Sequence, residues 1–255
     1  LLDGIDHVVL CASGALPAAS VSDPAGDLLG TLLPLLTVLE ALRGRRDIGL
    51  TMLSSGGTVY GAPRYEPVDE DHPLEPVVPY GISRMAAERY LTFYAQTRGV
   101  AARVLRLGNV YGPGQPPHRG QGVVAALLDA ALHDSPVPLY GDGAIARDYV
   151  HVDDVVDVVL RLGPPSPALE ILNVGTGTAT SLREVIDLVE ATTGHVLSLS
   201  SHPSRPYDVP SIALDITRLV DRIDFRPRPL REGMRQTWAA LLDQHRDQDL
   251  TATAV

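Results

Sequence analysis

Short apolar runs rich in β-branched residues alternate along this chain with longer stretches whose apolar positions recur at helical spacing. His7–Cys11, Ile48–Leu53, Ala102–Leu107 and Ile171–Val174 are continuous apolar runs, the pattern of strands buried on both faces of a parallel sheet. Between them Asp27–Arg43, Tyr80–Arg98 and Val155–Leu162 predict helices, with Gly99 placed as a C-cap. This alternation predicts an α/β sheet with crossover helices. After Asn109 the pattern loosens. Gly112–Pro117 predicts a loop, Gln121–His133 a helix, and Val137–Tyr140 a short strand ending in Gly141-Asp-Gly143. Ser181-Leu-Arg-Glu184 has capping-box spacing and opens a helix to Thr193. Pro203–Pro210 predicts a loop, and Asp215 a cap for a short helix. Asp153 and Asp154 predict a cap for the helix that follows them. Arg231–Gln244 predicts a final helix, and the polar tail Asp247–Val255 is expected to fray. The expected organisation is a sheet-bearing core of residues 1–110 and 150–175 with a small lobe of residues 111–149 and 176–255.

At 255 residues and 45% hydrophobic content the chain can bury a full core. Its net charge of -10 argues against a nucleic-acid or anionic-membrane surface, so an anionic ligand must be held by local arginines. The apolar runs fall short of the ~20 residues of a membrane span, and no basic-then-apolar leader opens the chain. The single Cys11 excludes an internal disulfide and fits a reducing cytoplasm. Lying in an apolar run, it is expected to be a buried structural thiol. The eight histidines show no paired ligand spacing, and no metal is expected.

Tyr80-Gly-Ile-Ser-Arg84 carries the most specific chemistry. Four-residue spacing puts the phenol and the guanidinium one helical turn apart on one face. A neighbouring cation favours the charged phenolate, which equips a tyrosine for proton transfer. The pair resembles the Tyr-x-x-x-Lys signature of short-chain dehydrogenase/reductases, with Arg in place of Lys. Four further strings occur in order around it: Ser54-Ser-Gly-Gly-Thr-Val-Tyr-Gly61, Arg106-Leu-Gly-Asn-Val-Tyr-Gly-Pro113, Gly141-Asp-Gly143 with Arg147-Asp-Tyr-Val-His-Val-Asp-Asp154, and Arg205-Pro-Tyr-Asp-Val-Pro210. Together they resemble the extended branch of that superfamily, the NAD-dependent epimerase/dehydratase family, and within it the UDP-glucose 4-epimerase-like group, over about Asp3 to Ala240.

The resemblance implies a Rossmann-like, doubly wound parallel sheet of seven strands, with NAD at the carboxyl ends of the strands and a C-terminal lobe closing over a nucleotide-diphosphate sugar. It implies Tyr80 as catalytic base and Arg84 as the cation that binds the nicotinamide ribose. An arginine is longer and forked where lysine is compact, so reduced activity is one expectation. The family's Ser/Thr that bonds the reacting hydroxyl aligns with Gly56, which leaves Ser55 or Thr58 as substitutes. Thr58 stands where related dehydratases carry an acid, which disfavours loss of water. Ala12, Ser13, Thr31 and Ser54 match positions beside the cofactor. Asn109, Leu139 and Tyr140 match substrate contacts. Arg147 and Arg205 match diphosphate-gripping arginines, suited to bidentate phosphate bonds, and Asp208 matches a ribose-binding acid. A homodimer through helices including Tyr80–Arg98 is implied. The apolar face of that helix (Ile82, Met85, Ala86, Phe93) fits core packing equally well.

No Gly-x-x-Gly-x-x-Gly loop for a pyrophosphate occurs in the sequence. The expectation is that about 60 residues with the first strands and that loop precede Leu1, a length set by two βα units, and that residues 1–255 alone bind NAD weakly. The leading expectation is an NAD-dependent epimerase of a nucleotide-diphosphate sugar, a UDP-hexose at C4. NADP stays open, because the discriminating residue follows the second strand. Two alternatives stand beside it: a one-way reductase or dehydrogenase, and a non-catalytic protein that kept the sugar-nucleotide lobe.

Overall fold

The computed structural model describes residues 2–117, 122–166, 168–205 and 208–253, with the backbone alone beyond residue 246. Each long apolar run forms a strand. β1 (His7–Leu10), β2 (Gly49–Ser55), β3 (Ala101–Leu107) and, later, Glu170–Val174 make one four-stranded parallel sheet among the described residues. Between β1 and β2 the chain crosses over through α1 (Pro17–Ser22) and α2 (Pro24–Leu42). Between β2 and β3 lie the one-turn α3 (Gly56–Val59) and the long α4 (Pro79–Arg98). α2 buries the stripe Asp27, Thr31, Leu35, Leu39 and Leu42, spacings of four and then three that keep one face on the sheet. α4 starts at Pro79, a residue preset for a first turn, and ends at Gly99 in the left-handed conformation (φ 70°).

After β3 the chain leaves the main sheet. β4 (Asn109–Tyr111), α5 (Val123–His133) and β5 (Val137–Tyr140) come first, then β6 (Ala146–His151), α6 (Val152–Leu162) and the sheet strand β7 (Glu170–Val174). β8 (Ala179–Ser181), α7 (Leu182–Thr193), β9 (Leu199–His202), α8 (Thr217–Ile223) and α9 (Leu230–Thr253) complete the order. β4 pairs parallel with β6, β6 antiparallel with β8, and β5 parallel with β9. One apolar cluster, with Leu127, Leu128, Leu139, Val185, Val189 and Met234, fills the small lobe. Two others cover the faces of the main sheet. Leu219 and Phe225, placed with the lobe by sequence, belong to a sheet cluster, where α8 packs on β7.

Several expectations change. Cys11 is exposed, because β1 lies at an edge of the sheet among the described residues and Cys11 falls just past its last residue. α2 is itself long and apolar enough to cross a membrane, with a mean hydropathy of 1.5, although no run in it is unbroken. Its buried stripe packs against α4 and the sheet. Asp153 and Asp154 do not cap α6. The His151 ring does, accepting from the Asp153 N–H at 3.2 Å, and the two carboxylates occupy the first turn, where the helix dipole favours them. Burial, aided by Arg228, pushes His151 below its ordinary pKa and so keeps the ring neutral for that role. Asp215 accepts from the Thr217 N–H at 2.8 Å, and the Ser181–Glu184 capping box forms in both directions. α9 is helical to Thr253, past the expected end. Of the predicted helix Gln121–His133 the first residue lies outside the described residues, as do Pro206 and Tyr207 of the predicted loop.

Candidate active site

In-register pairing aligns the carboxyl ends of the strands. Ser54 lies opposite Arg106 and Ser55 opposite Leu107. β2 then turns into α3, β3 gives way to Gly108 and Asn109, and β1 gives way to Ala12 and Ser13. α4 brings Tyr80 to this end in its first turn, where the Tyr80 N–H donates to the buried Ser20 hydroxyl at 3.1 Å. Across from it β6 presents Arg147 and Tyr149, which share one face by strand alternation. A cleft of about 450 Å³ results. Its walls include Ser54, Ser55, Thr58, Tyr80 and Asn109 from the sheet side, and Arg147, Tyr149, Arg205 and Asp208 from the lobe side.

Arg84 meets Tyr80 differently from a side-by-side pair. Its guanidinium carbon lies 5.2 Å from the Tyr80 ring centroid, a cation–π distance, and the side chain is 4% exposed. One nitrogen donates to the Ala12 and Leu53 carbonyls at 3.4 and 3.3 Å, the other to Ala12 at 3.4 Å, and Nε is buried without a partner among the described residues. Arg84 therefore ties the ends of β1 and β2 to the tyrosine's helix.

The hydroxyl expected at the Gly56 position has no place there. A Cβ on Gly56 would lie 2.7 and 3.0 Å from the Leu214 methyls and 3.1 Å from the Arg106 carbonyl. Gly56→Ser is accordingly expected to lower stability by about 1–3 kcal/mol, as overpacking does; denaturant unfolding at wild-type stability would refute this placement. Of the two substitutes, Ser55 lines the cleft with no hydrogen bond recorded for its hydroxyl. Thr58 also lines it, but its Oγ1 is buried without a partner.

Two of the residues expected beside the cofactor have hydroxyls bonded inside the protein. The Ser54 hydroxyl donates to Glu88 Oε1 at 2.5 Å inside the protein. Thr31 is buried and its hydroxyl accepts from the Gly14 N–H at 3.1 Å, holding the loop after β1 against α2. Ala12 and Ser13 are exposed just past the end of β1.

On the lobe side, Arg147 donates from one nitrogen to the Ala146 and Val209 carbonyls, both at 2.7 Å. Burial pulls its pKa below the ordinary value, against the opposing pull of Tyr149, Asp208 and Glu66. Such a partly buried cation suits an anionic ligand. Arg205 stacks on Tyr140 at 3.8 Å from the ring centroid. Leu139 and Tyr140 are not among the residues that wall the cleft: Leu139 is packed in the lobe core, and the Tyr140 ring lies against the Arg205 guanidinium. Asp148 holds this wall in place. It is 1% exposed and accepts from the N–H groups of Thr176, Gly177 and Leu214 and from the Thr176 hydroxyl, at 2.7–3.2 Å.

The sequence reading missed Tyr149, whose burial raises its pKa to about 12 and keeps it a neutral phenol beside Arg147. Its position two residues after Arg147 on a strand was the available signal. It also missed Gln115, a cleft residue whose Nε2 donates to the Val110 carbonyl at 3.2 Å.

A tyrosine and a cation at the carboxyl ends of a parallel sheet face two arginines across a cleft, a Rossmann-like arrangement whose charge suits an anionic ligand. The chain belongs to the NAD dependent epimerase/dehydratase family, whose sequence model matches residues 1–175. It is 38% identical over 221 residues to the UDP-glucose 4-epimerase of Mycolicibacterium smegmatis, covering 86% of this chain and 70% of that one. It is 30% identical over 246 residues to the dTDP-4-dehydro-6-deoxy-D-allose reductase of Streptomyces bikiniensis, covering 93% and 74%. Among solved structures, the UDP-glucose 4-epimerase of Thermotoga maritima with UDP-glucose superimposes with a TM-score of 0.87 at 33% identity, over 94% of this chain and 78% of that one. The Thermus thermophilus enzyme complexed with NAD gives 0.86 at 37% identity, over 92% and 77%.

Proposed function

We propose that the protein interconverts epimers of a nucleotide-diphosphate sugar, a UDP-hexose at C4, with NAD as cofactor. The observation that carries this reading is the cleft, which gathers Tyr80, Ser55 and Asn109 on one wall and Arg147, Arg205 and Asp208 on the other. The names of the relatives support the sugar-nucleotide class. Residues at the strand ends fit the nicotinamide half of the cofactor: Ala12 and Ser13 are exposed there, and Arg84 keeps a buried Nε without a partner beside them. Bound NAD supplies reversible hydride transfer.

This chain's residues supply the rest. Arg147 and Arg205 hold the diphosphate, which leaves the sugar toward Tyr80. The Tyr80 phenolic oxygen takes the proton of the reacting hydroxyl and returns it after the keto-sugar has turned over. Ser55 hydrogen-bonds the same oxygen. Thr58 offers no carboxyl group, so the reaction lacks the acid that loss of water requires. Proton NMR of the protein with NAD and UDP-glucose tests the reading: UDP-galactose signals should appear without net NADH. The second reading, a one-way reductase, has support in the S. bikiniensis relative. It predicts instead stoichiometric cofactor consumption with a keto-sugar.

Arg84→Lys is expected to lower turnover about tenfold, because a lysine gives up one of the charge-assisted bonds that join Ala12, Leu53 and α4. Faster turnover in that variant would show the arginine to be a handicap. We also infer a homodimer through α2 and α4. These helices pack on each other and leave Leu28, Leu29 and Leu33 on one and Ile82, Tyr90 and Phe93 on the other exposed. Light scattering should give twice the chain mass, and Leu29→Glu with Phe93→Glu should halve it; a wild-type monomer at micromolar concentration would refute this.

A further inference from the structure

Beneath the cleft lies a buried polar network that the catalytic reading leaves without a task. Glu88 continues the Tyr80–Arg84 spacing by one more step of four and is 2% exposed. Its carboxylate accepts the Ser54 hydroxyl at 2.5 Å and the Arg106 fork through Nε at 3.1 Å and a terminal nitrogen at 2.7 Å. Arg106, 3% exposed, donates onward to the Tyr60 hydroxyl and the Glu70 carbonyl, both at 3.0 Å. Tyr60 donates to Asn173 on β7 at 2.7 Å. The chain of bonds thus runs from α4 across β2 and β3 to β7.

Its position relative to the cleft is specific. Ser54 is itself a cleft residue, and its neighbour Leu53 accepts from Arg84. α4 is therefore pinned to the end of β2 at two successive turns, by Arg84 on Leu53 and by Glu88 on Ser54. An apolar contact would hold a helix at a given distance. A hydrogen-bonded carboxylate also fixes its rotation and its translation along its axis, because bond strength falls steeply with angle. Both coordinates decide where the first turn, and Tyr80 with it, meets the cleft.

We propose that Ser54, Glu88 and Arg106 form a positioning device: the Ser54–Glu88 hydrogen bond, backed by the Arg106 fork, sets the rotation and height of α4 and so places the Tyr80 phenol over the strand ends. The kinetic part of this inference rests on the epimerase reading; the structural part does not. Ser54 thereby acts through Glu88, in place of contacting the cofactor with its hydroxyl.

Ser54→Ala tests the idea with the least disturbance, since it leaves the Glu88–Arg106 pair whole. Hydrogen exchange read by mass spectrometry should show the first-turn amides of α4 exchanging about tenfold faster, the size of one lost charge-assisted bond, while the β2 and β3 amides hold. With UDP-glucose and NAD, kcat should fall roughly 10–100-fold, as a small misplacement of a reacting group does, with KM within about twofold. Ser54→Thr, which keeps the hydroxyl donor for Glu88 and leaves the ion pair whole, should fall between the wild type and Ser54→Ala in exchange rate. First-turn exchange at the wild-type rate in Ser54→Ala overturns the device whatever the activity, and so does an unchanged kcat in an active enzyme. A wild-type protein without turnover overturns the epimerase reading alone, and the exchange rates still decide this one.

Discussion

Tyr80→Phe is expected to lower turnover by about 10²–10⁴, the contribution of a positioned general acid–base group, while the affinity for UDP stays within about twofold. The substitution removes one oxygen and keeps the ring. The Arg84 guanidinium, 5.2 Å from the ring centroid, retains its aromatic face and its bonds to Ala12 and Leu53. The two arginines proposed to hold the diphosphate are on the opposite wall, on β6 and in the loop after β9, where Arg147 donates to the Ala146 and Val209 carbonyls and Arg205 stacks on Tyr140. The proposed chemistry and the proposed binding are thus assigned to different elements, which makes the split measurable: turnover by NMR, UDP affinity by calorimetry. A variant with full turnover removes Tyr80 from the mechanism. A variant that loses UDP affinity as well would mean that the two walls are coupled in a way the cleft geometry does not contain. The non-catalytic alternative makes a third forecast, no turnover in either protein and equal UDP affinity.

The sequence revealed the framework because its signals are local. A continuous apolar run needs no knowledge of its partners to be read as a buried strand, and the Ser181–Glu184 box and the Gly99 cap are complete within a few residues. Tyr80 and the two anchoring arginines were legible as ordered strings, and the cleft contains all three. What stayed hidden depends on where a side chain points after distant elements assemble. Gly56 aligned with a hydroxyl position, yet its Cβ direction is set by the turn from β2 into α3 and runs into Leu214, 158 residues away in the chain. The Ser54 string does not show that its hydroxyl bonds Glu88, 34 residues on. Thr31 went to Gly14 in the same manner. Cys11 read as buried because its run is apolar, but burial at a strand end depends on the neighbours that strand has. His151 escaped as a cap because the residue type is rare in that role and its partner Arg228 is far off in sequence.

Arg106→Leu is expected to cost about 3–5 kcal/mol of folding stability, the typical penalty for removing one member of a buried ion pair. Both charged side chains are nearly inaccessible, at 4% and 3% exposure, so solvent screening offers little relief to the survivor. Burial pulls the Arg106 pKa down, but hydrogen bonding and charge from Glu88 outweigh that pull and hold it above the ordinary value. Leucine fills much of the volume, yet it strands the Glu88 carboxylate with a single donor, Ser54, and leaves the Tyr60 ring without the guanidinium it faces at 5.0 Å. The penalty belongs to the stranded charge more than to the missing contacts. It should therefore shrink when the charge is removed too: Arg106→Leu with Glu88→Met is expected to lose less stability than Arg106→Leu alone, a coupling that a double-mutant cycle in denaturant measures directly. Additive losses would mean that the pair contributes no mutual stabilisation and that α4 is held to the sheet by its apolar stripe, Ala87, Leu91 and Tyr94. A cooperative loss would identify the ion pair under the cleft as the bond that holds α4, and the tyrosine at its start, to the sheet.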